Sequence, residues 1–173
     1  GVGRVAKAFG MELHGFDPYL PDSAWGQEDC THHTDVEDVF RLCTHIAVHC
    51  NLTEETHHMV NAATLALMPG IGADGIACGN HLVSCARGGI VDEAAVLAAL
   101  ESGVLASCAL DVFEVEPATG NPLLRHPNFH GTPHIAAATL EAQGRIGIEM
   151  AELLIDFFAG TTPRSVVNRA VLD

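Results

Sequence analysis

The stretch His81-Leu82-Val83-Ser84-Cys85-Ala86-Arg87-Gly88-Gly89-Ile90-Val91-Asp92-Glu93 decides how this chain folds. A short apolar run ends in an arginine and two glycines, and Asp92 then offers a side-chain oxygen to cap a helix. Helical spacing continues to Ser102, where Gly103 supplies the stop that helix C-termini commonly use. A strand that runs through a turn into a helix is the repeating unit of an open parallel sheet. Such sheets collect their ligands beyond the carboxyl ends of the strands, where Arg87 stands.

The same grammar recurs on both sides of this stretch. Further strands are expected at Glu12–Phe16, around Cys30–Thr34, and at His45–His49, Ala106–Leu110 and Asn128–Gly131. Asp35 is placed to cap a helix with Val36, Val39, Phe40 and Cys43 as its apolar stripe, and Asp38 echoes a capping box. The longest helix is predicted from Thr139 to Ala159, with Ile146, Met150, Leu153, Leu154 and Phe157 as its buried face and Gly160 closing it. Beyond Gly160 the chain reads as short and extended. Strands alternating with helices predict the α/β class, a doubly wound parallel sheet of the Rossmann-like kind. No repeat, linker or low-complexity tract interrupts it.

Composition narrows the function classes. The chain has 173 residues and a formal charge of −14, from 8 basic against 22 acidic residues, which argues against a nucleic-acid partner. No apolar run reaches membrane-spanning length and no secretory leader opens the chain. Six scattered cysteines without a CxxC pair, most in apolar stretches, suggest small buried hydrophobes in a reduced, cytoplasmic protein. Eleven histidines raise a metal, notably at His32-His33, His57-His58 and the His45/His49 spacing. No cysteine or carboxylate joins them at ligand spacing, and His57-His58 reads as a polar helix start, so no functional metal is expected.

Gly1-Val2-Gly3-Arg4-Val5-Ala6 fits the G-x-G-x-x-G/A pattern, in which glycines let a backbone approach a pyrophosphate. The acidic residue that would hold the adenosine ribose is Asp17, after the run Glu12–Phe16 but only 11 residues past Ala6. Room remains for barely one or two helical turns. No strand precedes the motif, so the sheet is expected to be N-terminally incomplete, with backbone groups left unpaired where a central strand belongs. On this reading the chain is a fragment or degraded copy that does not turn over substrate alone.

Two more clusters complete the pattern. Ala109-Leu110-Asp111-Val112-Phe113-Glu114-Val115-Glu116-Pro117 is a strand running into acids. Gly131-Thr132-Pro133-His134-Ile135-Ala136-Ala137-Ala138-Thr139 is a short strand, a histidine and a small-residue lead into the long helix. An arginine, a carboxylate and a histidine thus stand at equivalent ends of successive strands.

In this order, "ARGGIVDE", "ALDVFEVEP" and "TPHIAAATLEA" resemble the D-isomer-specific 2-hydroxyacid dehydrogenases, over about Ala6 to Asn168. That family includes D-3-phosphoglycerate dehydrogenases, glyoxylate/hydroxypyruvate reductases and the C-terminal-binding-protein corepressors. The resemblance implies an NAD-dependent oxidoreductase acting on a small 2-hydroxy or 2-keto acid, with Arg87 on the substrate carboxylate and carbonyl, His134 as acid/base and Glu116 as its partner. It implies a cofactor site of Gly1, Gly3, Arg4, Val5, Asp17, Cys50, Cys85, Ala86, Arg87, Asp111, His134, Ala136 and Ala137, Asp111 holding the nicotinamide carboxamide. Asp17, as ribose ligand, would favour NAD over NADP by repelling a 2′-phosphate. The resemblance further implies residues 1–160 as a dinucleotide-binding domain, 161–173 as the start of a return to a substrate domain, and a homodimer.

The chemistry suits those roles. Reduction of a keto acid builds negative charge on the carbonyl oxygen, which calls for a cation and a proton close by. A histidine paired with a carboxylate holds its proton more firmly near neutral pH. Arginine presents a planar fork that matches a carboxylate. The sequence departs from the family in carrying about nine extra residues, Ile71–Gly79, before the His81 strand, and Asn51 where proline is usual. A non-catalytic NAD-sensing scaffold of the corepressor kind and an inactive remnant are the alternatives.

Overall fold

The computed structural model describes residues 1–21, 23, 25 and 29–161. It divides into two compact units, Gly1–Pro133 and His134–Asp173. The first holds β1 (His14–Phe16), β2 (Thr31–His33), β3 (His45–Val48), β4 (His81–Ser84), β5 (Ser107–Leu110) and β6 (Phe129–Gly131). With them lie α1 (Val2–Ala8), α2 (Val36–Leu42), α3 (Ala62–Ala66) and α4 (Glu93–Ser102). The second unit contains α5 (Leu140–Phe158). The stretch expected to be extended past Gly160 lies, from residue 162 on, outside the described residues.

All six expected strands form, each trimmed at one or both ends, and every pairing is parallel. They make two sheets, β1-β2 and β3-β4-β5-β6. The register sets His45 beside His81 and His81 beside Ser107, so the carboxyl ends of β3, β4 and β5 stand in line. The trimming of β1 has a simple cause: its ladder extends only as far as the three-residue β2 that pairs with it.

Local sequence rules account for the helices. Asp92 accepts hydrogen bonds from the amides of Ala94 and Ala95, and Gly103 ends α4 in the left-handed conformation at φ 78°. Asp35 accepts from Glu37 N, but the expected capping box is absent: Asp38 instead pairs with Arg41 at 3.1 Å. A full guanidinium one turn ahead competes better for that carboxylate than one backbone amide. His57 and His58 lie in a turn rather than a helix start, because Asn61 caps α3 with a capping box of its own, closed by Thr64.

Burial alternates along the sheet. Ile46, Val48, Leu82, Ser84, Cys108 and Leu110 face inward, joined by Val96 and Leu100 of α4, Leu65 before α3's end, Leu105 and Leu123. Each fully buried leucine contributes on the order of 2 kcal/mol. On the opposite face Val83 is 45% exposed, while His81, Ser107 and Ala109 are half-buried. The extra residues Ile71–Gly79 form a small turned excursion, closed by an antiparallel Ile71–Ala77 bridge. Asn80 staples its base by accepting from Gly70 N at 2.7 Å and donating to Val104 O at 2.9 Å, so the excursion does not displace β4.

Two burial expectations are corrected. No residue of α5 is buried: Ile146, Met150, Leu154 and Phe157 are 51–54% exposed, although Thr139 caps the helix as expected. The stripe is real, but among the described residues the second unit holds no other helix or strand to cover it. Of the cysteines only Cys108 is buried, while Cys78 and Cys85 are exposed.

Burial pushes the Cys108 thiol up from 9.0 to about 12. A raised thiol favours folding until the unfolded chain begins to ionise, and that advantage fades as pH climbs through the window from about 9 to about 12. Stability at pH 10 should therefore fall about 1 kcal/mol more steeply from its pH 8 value than in Cys108→Ala. Urea melts of both proteins at the two pH values check this; parallel losses would refute it.

Candidate functional site

The carboxyl end of β4 carries the chain directly to Arg87. Ser84, fully buried, accepts from Ala86 N at 3.5 Å, and the exposed Arg87 side chain donates from Nη1 to Ala86 O at 2.6 Å. Cys85 is exposed on the same turn and Ala86 is buried.

At the end of β5, Asp111 is only 3% exposed. Its amide donates to Ser84 O at 3.0 Å, and its carboxylate accepts from Thr132 Oγ1 at 2.5 Å, just past β6. A buried carboxylate held by a hydroxyl has its position set before any ligand arrives. The loop that follows folds back on itself: Phe113 N donates to Glu116 Oε1 at 3.1 Å.

The structure brings the Arg87 and Glu116 loops together. A Cβ on Gly88 would lie 1.9 Å from Phe113 O, so the two backbones touch at a position that only glycine can occupy. Glu93, one residue past the helix cap, accepts from Glu114 N at 2.6 Å and from Asn121 Nδ2 at 2.5 Å. His58 reaches Glu114 Oε1 from Nε2 at 2.9 Å, and its own amide donates to Gly89 O at 2.8 Å. Sequence reasoning missed Glu93, Glu114, His58 and Thr132. The bond partners lie 21 to 56 residues apart, beyond the reach of any local spacing rule.

His134 opens the second unit, exposed and in the left-handed backbone region at φ 55°, which is uncommon for a residue with a side chain. Ala136 and Ala137 follow it, both exposed; Ala138 N donates to Ile135 O at 2.8 Å and Gln143 Nε2 to Ala137 O at 3.0 Å.

At the start of the first unit, Gly1 precedes α1, a helix of seven residues that carries Gly3, Arg4 and Val5. Neither glycine is required by crowding: nothing lies within 4 Å of a Cβ at Gly1, and the nearest atom at Gly3 is 3.5 Å away. Asp17, just past β1, accepts from Tyr19 N at 2.9 Å. Cys50, two residues past β3, has its thiol pushed up by burial, with the Asp17 carboxylate adding to the effect.

A cavity of about 550 Å³ lies beside the Glu93–Glu114 contact, lined by His58, Asp92, Glu93, Glu114 and Pro117 among others, and it does not include Arg87. Its carboxylates would repel an organic anion. Among the described residues, no three histidine, cysteine or acidic side chains are grouped to hold a metal, and no helix is long and apolar enough to cross a membrane.

Comparison with known proteins adds a lineage. A family profile described as the NAD-binding domain of D-isomer specific 2-hydroxyacid dehydrogenases matches residues 1–136. The D-3-phosphoglycerate dehydrogenase of Bacillus subtilis is 40% identical over 175 residues, covering 97% of this chain and 32% of that protein. The chain thus spans about a third of the length of the curated relatives it matches. Among solved structures, a formate dehydrogenase from Granulicella superposes with a TM-score of 0.81 at 31% identity, over 95% of this chain and 42% of the other. A D-lactate dehydrogenase from Aquifex aeolicus, solved with NAD and lactic acid, superposes with a TM-score of 0.75 at 27% identity, over 92% and 50%.

Proposed function

We propose a function from one premise: the chain belongs to the D-isomer specific 2-hydroxyacid dehydrogenase family and is an NAD-binding domain of that family. The whole protein is then an oxidoreductase that interconverts a small D-2-hydroxy acid and its 2-keto acid. The observation that carries this reading is the clamp between the Arg87 and Glu116 loops at the carboxyl ends of β4 and β5, where parallel sheets hold their ligands.

The donor set suits NAD. Asp111 offers a buried, preset acceptor for a carboxamide, and Asp17 offers a carboxylate to a ribose diol. Bound NAD supplies or receives the hydride. Around it, Arg87 binds the substrate carboxylate through its planar guanidinium and draws negative charge onto the carbonyl oxygen. His134 holds the proton which that oxygen takes on reduction and recovers it on oxidation. Glu116 serves as the carboxylate partner of the histidine. Gly1, Gly3, Arg4, Val5, Cys50, Cys85, Ala86, Ala136 and Ala137 line the cofactor. Residues 1–160 form the dinucleotide-binding domain, and 161–173 lead towards a substrate domain.

Two copies pair through this domain, a reading supported by the uncovered apolar stripe of α5. Six free cysteines suit the reducing cytoplasm.

NADH titration of the chain tests the proposal, read by energy transfer from Trp25, its single tryptophan. NADH should bind at least tenfold more tightly than NADPH, and Asp17→Ala should weaken NADH by about tenfold, the worth of one hydrogen bond to a charged group. Equal affinity for both nucleotides, unchanged in the variant, would remove Asp17 from the site.

A further inference from the structure

Glu93 opens α4 directly after the Asp92 cap, a short turn past Arg87. An acid in the first turn of a helix ordinarily faces the helix's own amides or the solvent. Glu93 does neither. It is half-buried, and both of its carboxylate oxygens leave the helix: Oε1 accepts from Glu114 N at 2.6 Å and Oε2 from Asn121 Nδ2 at 2.5 Å.

These two partners bracket the loop that carries Glu116. Between them Val115, Glu116 and Pro117 are exposed, so the loop has little core of its own to fix it. Its far end is anchored where Asn121 Oδ1 caps the one-turn helix Pro122–Arg125, in which Leu123 is fully buried. Its near end follows the buried Phe113. One carboxylate thus ties both ends of the loop to α4. That helix is a firm mooring, because Ala95, Val96, Ala99 and Leu100 are all in the core.

The bond at the near end fixes a peptide unit. The N–H between Phe113 and Glu114 donates to Glu93, and the carbonyl of the same unit, Phe113 O, lies against Gly88 beside Arg87. A peptide unit is planar, so holding its N–H also sets the direction of its carbonyl. The adjoining amide, Phe113 N, donates to Glu116 Oε1 at 3.1 Å. Consecutive amides of one turn therefore bond Glu116 and Glu93. A rotation of that turn would move the Glu116 carboxylate relative to the Arg87 turn. The bond from His58 to the Glu114 carboxylate resembles a surface pair in exposure, and it holds the side chain rather than the peptide.

We propose that Glu93 is a positioning residue for the oxidoreductase reaction: by holding the Phe113–Glu114 peptide it sets the Glu116 carboxylate against the Arg87 turn. Its action is exerted through the loop and requires no contact with substrate or cofactor. A charged acceptor suits the task, since a carboxylate binds an amide more strongly than a neutral group does. The role rests on the assignment of Glu116 as the carboxylate partner of the histidine.

The test is steady-state reduction of hydroxypyruvate by NADH in the longest form of the protein that turns over. Four variants are compared: Glu93→Ala, Glu93→Gln, Glu116→Gln, and Glu93→Ala combined with Glu116→Gln. Glu93→Ala should lower kcat by about thirtyfold, less than the roughly hundredfold that a misplacement of about 1 Å can cost. KM should stay within about twofold, because Arg87 still binds the substrate. Glu93→Gln keeps an oxygen for Glu114 N and should bring kcat back to within about threefold of the parent. In the Glu116→Gln background, Glu93→Ala should cost no more than about threefold further, since two residues acting through one carboxylate do not add. Amide exchange at Glu114 should quicken by about tenfold in Glu93→Ala while Ser107–Leu110 stays slow, which separates a loosened loop from a loosened fold.

The proposal is overturned if kcat is unchanged, if KM rises in step with a loss of kcat, or if the glutamine variant is as slow as the alanine one. Losses that multiply in the double variant, or faster exchange throughout β5, would also overturn it. A Glu116→Gln protein with the parent's rate defeats the assignment of Glu116 and this role together, whereas multiplied losses defeat the role of Glu93 alone.

Discussion

Gly88→Ala should destabilise the fold by about 3 kcal/mol, the upper range for forcing a methyl group into a packed site. The added Cβ would sit 1.9 Å from Phe113 O, 2.5 Å from Phe113 C and 3.0 Å from Glu114 N. All three are backbone atoms, so no rotamer change relieves the contact. Nor can the loop retreat cheaply, because Phe113 N is bonded to Glu116, Glu114 N to Glu93, and Asp111 N to Ser84 O. Gly144→Ala is the control: that glycine lies inside α5 with nothing within 4 Å of its Cβ, and the change should be neutral or stabilising by up to about 1 kcal/mol. Urea denaturation measures both. A Gly88→Ala protein as stable as the parent would mean that the two loops are not in backbone contact.

Arg87→Gln should lower kcat/KM for a 2-keto acid by about three orders of magnitude, roughly 4 kcal/mol of transition-state binding. The guanidinium is proposed to hold the substrate carboxylate and also the charge that develops on the carbonyl, so both KM and kcat should suffer. Arg87→Lys should recover little, because an ammonium keeps the charge but loses the fork. Stability should be untouched, since the side chain is exposed and its one short bond is to the carbonyl of its own neighbour, Ala86. The measurement is steady-state NADH oxidation with hydroxypyruvate, in the longest form of the protein that turns over, beside a thermal melt. A melting loss that accounted for the rate loss would make Arg87 part of the scaffold.

Much of this architecture was legible residue by residue. Asp92 and Gly103 bound their helix because capping is a contact between residues two to three apart, and the strands alternate in burial because side chains alternate across a pleat. Asp38 shows the limit of such rules: two local partners were available, and the arginine won. α5 shows another. Its apolar residues do recur at helical spacing, but periodicity says which residues share a face and nothing about what lies opposite, and the face expected to be buried is not.

By itself, then, the sequence determined the α/β class, the succession of strands, the helix caps, and the two motifs that carry Arg87, Asp111 and Glu116 just past the ends of β4 and β5. These depend on contacts within a turn or a pleat. Only the tertiary structure decided that Glu93 and His58 hold the Glu114 loop, that Gly88 is bare because Phe113 leans on it, and that Thr132 fixes Asp111. The same is true of the split into two sheets. The physical reason is that each of these depends on which strands lie side by side and in what register, a property of the assembled sheet that no short stretch of chain carries.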